Sequence, residues 1–217
     1  MNFPLRNIQA SVLHIHDGFL DPLTCIIFYA ISIPVVIYAG RRYFREGGDV
    51  YYLSIMAAAI FAAQMLNWPI PGGTSAHLVG GALSAMILGP FGGCLAMFMN
   101  LIVQCLLMGD GGITALGANV FNMAIVDVFA GYLIYKLSLR VLGEKRRFIA
   151  AFLGGWIGIA LAAVACGFEI GLSPQFGYPV LVTVPVMGVW HLALGVIEGL
   201  ATAFVISYLT GRRWVVK

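Results

Sequence analysis

Charge is scarce in this chain. Only 10% of its 217 residues are Asp, Glu, Lys or Arg, where an ordinary soluble domain carries about 25%. Hydrophobic residues make up 61%, and the mean hydropathy is +0.95. Such a composition excludes a soluble globular protein. Cysteine is scarce as well: Cys25, Cys94, Cys105 and Cys166 lie inside apolar runs, at spacings that match no metal or redox motif, and read as small packing residues. No His-Glu-x-x-His pattern occurs, which counts against an intramembrane metalloenzyme. Residues 1–13, MNFPLRNIQASVL, lack an apolar stretch long enough for a signal-peptide core and read as a short polar extension. The glycine-rich stretch 109–117, GDGGITALG, lacks the preceding strand and the Lys-Ser/Thr of a phosphate-cradling loop. It is expected to form a tight turn with glycines at positive φ, and Thr114 or its neighbours are expected to cap the helix that follows.

What the chain has in abundance is apolar length. A bilayer-crossing helix takes about 20 residues, so this length supplies about seven spans with short connections and leaves no room for a soluble ATP-hydrolysing domain. Apolar runs predict helices near 22–40, 50–67, 75–89, 90–108, 115–137, 148–170 and 184–209, the third and fourth broken at Gly89-Pro90. Although the formal charge is only +3, its distribution is uneven. Placing Arg41, Arg42 and Arg45 in the cytoplasm places Lys136, Arg140, Lys145, Arg146, Arg147, Arg212, Arg213 and Lys217 there too, with Arg6 alone outside. The expected fold is therefore an all-α integral membrane protein of about seven transmembrane helices, N-out and C-in, with residues 14–217 forming one domain. Small residues four apart, Gly154/Gly158, Gly195/Gly199 and Ala59/Ala63, suit close helix packing. The Ala59/Ala63 face and the Arg140–Arg147 loop are the surfaces expected to meet partners.

Polar groups in such a chain need a reason. In NWPIPGGTSAHLVGG, the prolines and glycines oppose helix, and Thr74 or Ser75 is expected to cap a helix whose first turn holds His77. A second cluster, His14-Ile-His16-Asp17-Gly18, falls on the same side just ahead of the first span. Asp17 is placed there to orient an imidazole. In an extended stretch His14 and His16 point to opposite sides, so one of them is expected to join His77. Imidazoles without thiolates suit nickel, cobalt, copper or zinc. Deeper in the spans lie Asp127, and His191 with Glu198 on one helix face. They are expected to bond to one another, to Asn119 or Asn122, or to backbone, with Glu198 also near enough to the cytoplasmic half to meet a basic partner.

Three stretches carry a family resemblance: HIHDGFLDP (14–22), AAQMLNWPIPGGTSAHLVGGALSAMILGP (62–90) and LIVQCLLMGDGGITALGANVFNMA (101–124). They resemble the CbiM/NikM family, the substrate-binding membrane components (S components) of energy-coupling-factor transporters for cobalt and nickel. The last third of the chain matches only in hydrophobic pattern. The resemblance implies an S-component bundle with an added N-terminal helix that delivers the chain terminus into a metal pocket. It implies a roughly planar nitrogen set: a terminal amine, the amide and imidazole of the next residue, and a second imidazole. By motif these imidazoles are His14 and His77, with Asn67, Ser75 and Asp17 in support. The family begins Met-His, whereas here Leu13 precedes His14 and twelve further residues precede Leu13. Two alternatives stay open. Either translation begins at position 13, since Val12 and Leu13 are residues that bacterial alternative start codons encode, or the extension is retained and His16 replaces the lost nitrogen.

The implied function is capture of Co(II) or Ni(II), as substrate and with no prosthetic group, on the outer face of a prokaryotic cell membrane. The implied partners are a transmembrane coupling subunit, two ATPase subunits and a small accessory membrane subunit, in a cobalt or nickel uptake system of the kind that serves cobalamin biosynthesis. Neither nucleic acid nor enzymatic chemistry is expected of this chain. A stand-alone metal channel or secondary carrier, with Asp127 and Glu198 along its path, is the competing expectation. A vitamin-binding S component would instead need an aromatic-lined pocket without the histidines.

Overall fold

A computed structural model describes residues 14–65, 67–70 and 74–212, without the side chains of 67–76. The extension 1–13, Leu13 included, and the side chains of Asn67 and Ser75 lie outside the described residues. Helix α1 (Pro22–Arg45) starts where Pro22 takes the first helical position and the Asp21 carboxylate accepts from the Leu23 and Thr24 amides, both at 3.1 Å. These hydrogen bonds, the one from the Thr24 hydroxyl first, hold the Asp21 carboxyl below the usual carboxylate range. Helix α2 (Val50–Gln64) is capped in the same way by Asp49, which accepts from the Tyr51 amide. At 15 residues α2 is shorter than a full crossing.

The third predicted helix is where the structure departs most from expectation. Instead of a helix from residue 75, the chain forms an antiparallel hairpin, β1 (Asn67–Ile70) with β2 (Thr74–His77), in which Asn67 pairs with His77. Helix α3 (Gly81–Leu88) begins only after Gly80, whose φ of +78° turns the chain out of the strand. His77 is therefore the last residue of a strand and not part of a first helical turn, and Thr74 and Ser75 do not cap α3. The two strands satisfy each other's backbone groups, an outcome that runs of apolar residues do not reveal.

Helix α4 (Pro90–Val103) continues into a π-helical stretch, Gln104–Met108. Helix α5 (Leu116–Val120), a second π-helical stretch (Phe121–Asp127) and α6 (Val128–Leu142) form one continuous rod. After a short 3-10 turn come α7 (Arg147–Leu172) and α8 (Val180–Gly211). Among the described residues seven helical segments thus follow the expected order. Five of them are long and apolar enough to cross a membrane, α2 and α3 being the short ones. Many large apolar side chains stand exposed on α1 and α8, including Ile26, Tyr38, Leu181 and Phe204. A multi-pass membrane protein presents such a surface to lipid.

The short helix α3 sits at the centre, where Ala82, Ala85 and Met86 are fully enclosed by the surrounding helices. Around it the small-residue pairs do internal packing. A side chain at Gly154 would collide with Met86 and the Gly131 carbonyl, and one at Gly199 would stand 2.7 Å from the Phe152 carbonyl. The free face of α2 carries Ala59, exposed, and Ala63, partly exposed. Helix α1 starts beside the end of α7, where the Asp21 amide donates to the Ser173 hydroxyl at 3.0 Å. Following each helix from there gathers Arg42, Arg45, Arg140, Arg147 and Arg212 at the opposite end of the bundle.

Candidate metal site

Three irregular segments meet at the end where α1 begins: the strap 14–21, the loop 109–115 and the end of the hairpin. Ile15 pins the strap. Its amide donates to Asn119 Oδ1 (2.9 Å), and its carbonyl accepts from Asn119 Nδ2 (3.0 Å) and from the Gly112 amide (2.9 Å). One asparagine side chain thus pairs with an extended residue as a neighbouring strand would. Gly111 has φ +88°, and a Cβ there would stand 2.9 Å from the Cβ of His14, so a glycine is required on both counts. Around the loop, the Tyr29 hydroxyl donates to the Ile113 carbonyl and the Ser32 hydroxyl to the Gly117 carbonyl.

With the strap so held, His14 is driven inward and only 6% of it is exposed. Its ring centroid lies 5.4 Å from that of His77, with an angle of 65° between the planes. His77 Nδ1 stands 2.8 Å from the Leu78 carbonyl. A carbonyl can only accept, so Nδ1 carries the proton and Nε2 keeps its lone pair. His14 Nδ1 stands 3.3 Å from Asp110 Oδ1, without hydrogen-bond geometry, and neither nitrogen of this ring makes a hydrogen bond. A buried imidazole in that condition is a donor waiting for an acceptor of its lone pair. His16 points away, its ring edge-on to Phe19 at 6.2 Å. His14 and His16 thus point to different sides of the strap.

Asp17 does not orient an imidazole. Its Oδ1 accepts from the Thr114 hydroxyl at 2.5 Å and the Thr114 amide at 2.7 Å. The hydroxyl first, then the amide, holds this carboxyl below the usual carboxylate range. Thr114 is thereby engaged with the strap, and α5 starts at Leu116, with Ala115 at its N-cap position and no side-chain cap. The carboxylate beside His14 is instead that of Asp110, whose role sequence reasoning missed. Its signal was its place in the same turn as two glycines at positive φ, Gly109 and Gly111.

Of the partners expected for the deeper polar residues, His191 and Glu198 take the backbone and not each other. His191 Nδ1 bonds the Met187 carbonyl of its own helix at 2.8 Å, and Asn122 donates to Glu169 at 2.7 Å. The Glu198 carboxylate accepts from the amides of Val79 (2.9 Å) and Gly80 (2.8 Å), and Asp127 packs against Gly81 and Gly158. Both carboxylates therefore attend the start of α3, and neither meets His191. Gln64, Asn100 and Gln104, fully enclosed or nearly so, form a further amide network. The i, i+4 spacing of Asn100 and Gln104 inside an apolar run was its visible sign. Cys25, Cys94 and Cys105 are buried, Cys166 is half-buried, and all four are free thiols. Among the described residues no group of three or more His, Cys, Asp or Glu side chains is gathered to hold a metal ion. The described side chains thus offer a partial donor set: two imidazoles with a carboxylate beside one of them.

The geometry is that of a multi-pass membrane bundle with two imidazoles paired at one end. Residues 14–216 match the family model described as CbiM, cobalt uptake substrate-specific transmembrane region. The chain belongs to this family. It is 56% identical over 93% of its length to a chain of Archaeoglobus fulgidus named as a fused nickel transport protein, NikMN, of which it covers 66%. It is 32% identical over 91% of its length to the cobalt transport protein CbiM of Thermosipho melanesiensis, covering 86% of that protein. It therefore spans just under two-thirds of the fused relative and most of the other. The crystal structure of a truncated transition metal transporter superposes with a TM-score of 0.87 at 38% identity, over 92% of this chain and 99% of that one.

Proposed function

We propose that this chain is the substrate-specific membrane component of an energy-coupling-factor transporter, and that it captures Co(II) or Ni(II) between His14 and His77 on the outer face of a prokaryotic cell membrane. The observation that carries this reading is the pair of imidazoles at 5.4 Å, one of them buried with both nitrogens outside any hydrogen bond. An imidazole centroid lies about 3 Å from an ion bound at about 2 Å, so two centroids at this separation are within reach of one shared ion. The adjacent Asp110 carboxylate offsets part of the ion's charge. Asp17 supports the site at one remove by tying the strap to the loop. In this reading the remaining donors come from backbone nitrogen at the strap and from residues around 13, with His16 the substitute if the extension is retained, and with Asn67 and Ser75 in support.

Orientation follows from charge. The arginines gathered at the end remote from the histidines face the cytoplasm, which leaves the metal site outward. A coupling subunit and two ATPase subunits, with a small accessory membrane subunit, then drive inward release. Because the Glu198 carboxylate is taken up by the Val79 and Gly80 amides, this reading is preferred to a stand-alone channel or secondary carrier that would route ions past it.

The test is direct. Purified protein, in lipid nanodiscs, is titrated with Ni(II) and with Co(II), and intact mass is read on the same sample to fix its N-terminus. One ion per chain is expected, held far more weakly in His14→Gln and in His77→Gln. Stoichiometric binding that survives both substitutions would overturn the site, and binding of neither ion would overturn the function.

A further inference from the structure

The chain leaving His77 is gripped by three hydrogen bonds from two side chains. The Val79 and Gly80 amides donate to the two oxygens of Glu198, from 119 and 118 residues downstream, and the Val79 carbonyl accepts from Gln64 Nε2 at 2.6 Å. Gln64 is itself fixed, since its Oε1 accepts from Asn100 Nδ2 (2.5 Å) and Gln104 Nε2 (2.8 Å). Glu198 is 2% exposed and Gln64 fully buried. A carboxylate in the interior of a membrane bundle is expensive to keep, and the packing of α8 alone gives no reason for it. The geometry does. Two successive amides, both buried, need two acceptors side by side, and only a carboxylate supplies two oxygens on one group. Gly80 admits no side chain that could cap α3, because a Cβ there would collide with Ile60.

We propose, building on the metal-capture reading above, that Glu198 is a positioning residue for the metal site. It fixes His77 by holding the two amides that follow it, and so ties the placement of α8 to the occupancy of the site. His77 is the last residue of β2, and the backbone that follows it carries the two bonds to Glu198. The Gln64 network is the opposing half of the same clamp. Since α8 runs the whole depth of the bundle and ends beside Arg212, a shift of α8 against α3 would move His77 relative to His14. By reciprocity, an ion bridging the two imidazoles resists that shift.

The test uses the full chain in nanodiscs and Ni(II) as probe, read by calorimetry and by the ligand-field absorption of the bound ion. Glu198→Gln keeps shape but offers one acceptor where two are needed. It is expected to weaken Ni(II) binding about 10- to 100-fold, the range for outer partners of metal ligands, and to shift the absorption bands. In a His77→Gln background, residual Ni(II) binding is expected not to weaken further on adding Glu198→Gln, because the group it positions is gone. Wild-type affinity and bands in Glu198→Gln would overturn the proposal while leaving metal capture intact. An equal loss in the His77→Gln background would overturn it too, by showing a general packing role. Wild-type protein that binds no Ni(II) or Co(II) would overturn the functional reading and the proposal with it. If Glu198→Gln does not fold, Gln64→Leu tests the other half of the clamp by the same readouts, with the same outcomes for and against.

Discussion

The α7–α8 pair and the pocket around His14 are built on opposite principles. Where α7 meets α8, contact depends on missing side chains. A Cβ at Gly155 would stand 2.9 Å from the Thr202 hydroxyl, one at Gly195 would stand 2.9 Å from both Ile159 and Trp156, and one at Gly167 would stand 2.9 Å from the Val184 Cα. The seam is regular, and the polar ties across it include Thr183 donating to the Gly167 carbonyl at 2.6 Å and Trp156 Nε1 donating to the Leu192 carbonyl at 2.8 Å. In lipid, close backbone approach of this kind is a main source of helix association. The pocket, by contrast, is irregular backbone held by side chains: Asn119 on Ile15, Asp17 on Thr114, Glu198 on Val79 and Gly80. Non-helical backbone at membrane depth survives only where protein satisfies its polar groups. The comparison teaches that stability and the proposed metal capture draw on separate residues. One region fixes the bundle by shape and the other fixes a site by hydrogen bonds.

The largest effect is expected from an attack on the seam. Gly199→Leu drives a side chain into the Phe152 carbonyl and ring, and overpacking of that kind costs about 1–3 kcal/mol or more. It should lower the thermal unfolding temperature of metal-free protein and, through unfolding, remove metal binding as well. His77→Gln or His14→Gln should do the reverse. Each removes a proposed ligand and lowers Ni(II) or Co(II) affinity by more than the about 10- to 100-fold seen for outer partners, while metal-free unfolding shifts far less than in Gly199→Leu. If the two kinds of substitution cannot be told apart by calorimetry and thermal unfolding, the separation of roles fails.

Asp110→Asn sharpens the comparison inside the pocket. It keeps volume but removes the charge 3.3 Å from His14 Nδ1, and a loss of about 10-fold in affinity is expected, with unfolding unchanged. The smallest effect is that of Asp17→Asn, which weakens the strap's tie to Thr114 by about 1 kcal/mol or less, as suits an exposed group. Its pH dependence has a definite sign. Because the Asp17 carboxyl is held below its ordinary value of about 3.9, its contribution is present above that value. It is lost as pH falls through the lower, folded-state value. Thermal unfolding of wild type and Asp17→Asn should therefore differ at neutral pH and converge in acid.

Reading the chain one residue after another reached some of this and stopped at identifiable places. The breaks at Gly89-Pro90, the turn at 109–117 and the order of seven helical segments follow from local chemistry, because apolar length and helix breakers act within a few residues. The third helix was misjudged because the hairpin competes with it, and strand pairing between Asn67 and His77 is not a local property. Asp17 was assigned to an imidazole because it lies beside two of them in sequence. Thr114, far along the chain, claimed it instead. Asp110 and Glu198 were visible as polar residues in an apolar chain, but nothing local says that one stops beside His14 and the other beneath His77.

By itself, then, the sequence determined that this protein lives in a membrane, where its helices break, and, through three long motifs, to which family it belongs. These depend on the hydrophobicity and backbone preferences of short stretches, and they hold wherever the chain is placed. The tertiary structure alone decided which of the two strap histidines meets His77, which carboxylate stands beside it, and that a glutamate of the last helix holds the residues after His77. Those outcomes depend on where distant helices come to rest, and that is set by close packing of the whole bundle rather than by any one segment of it.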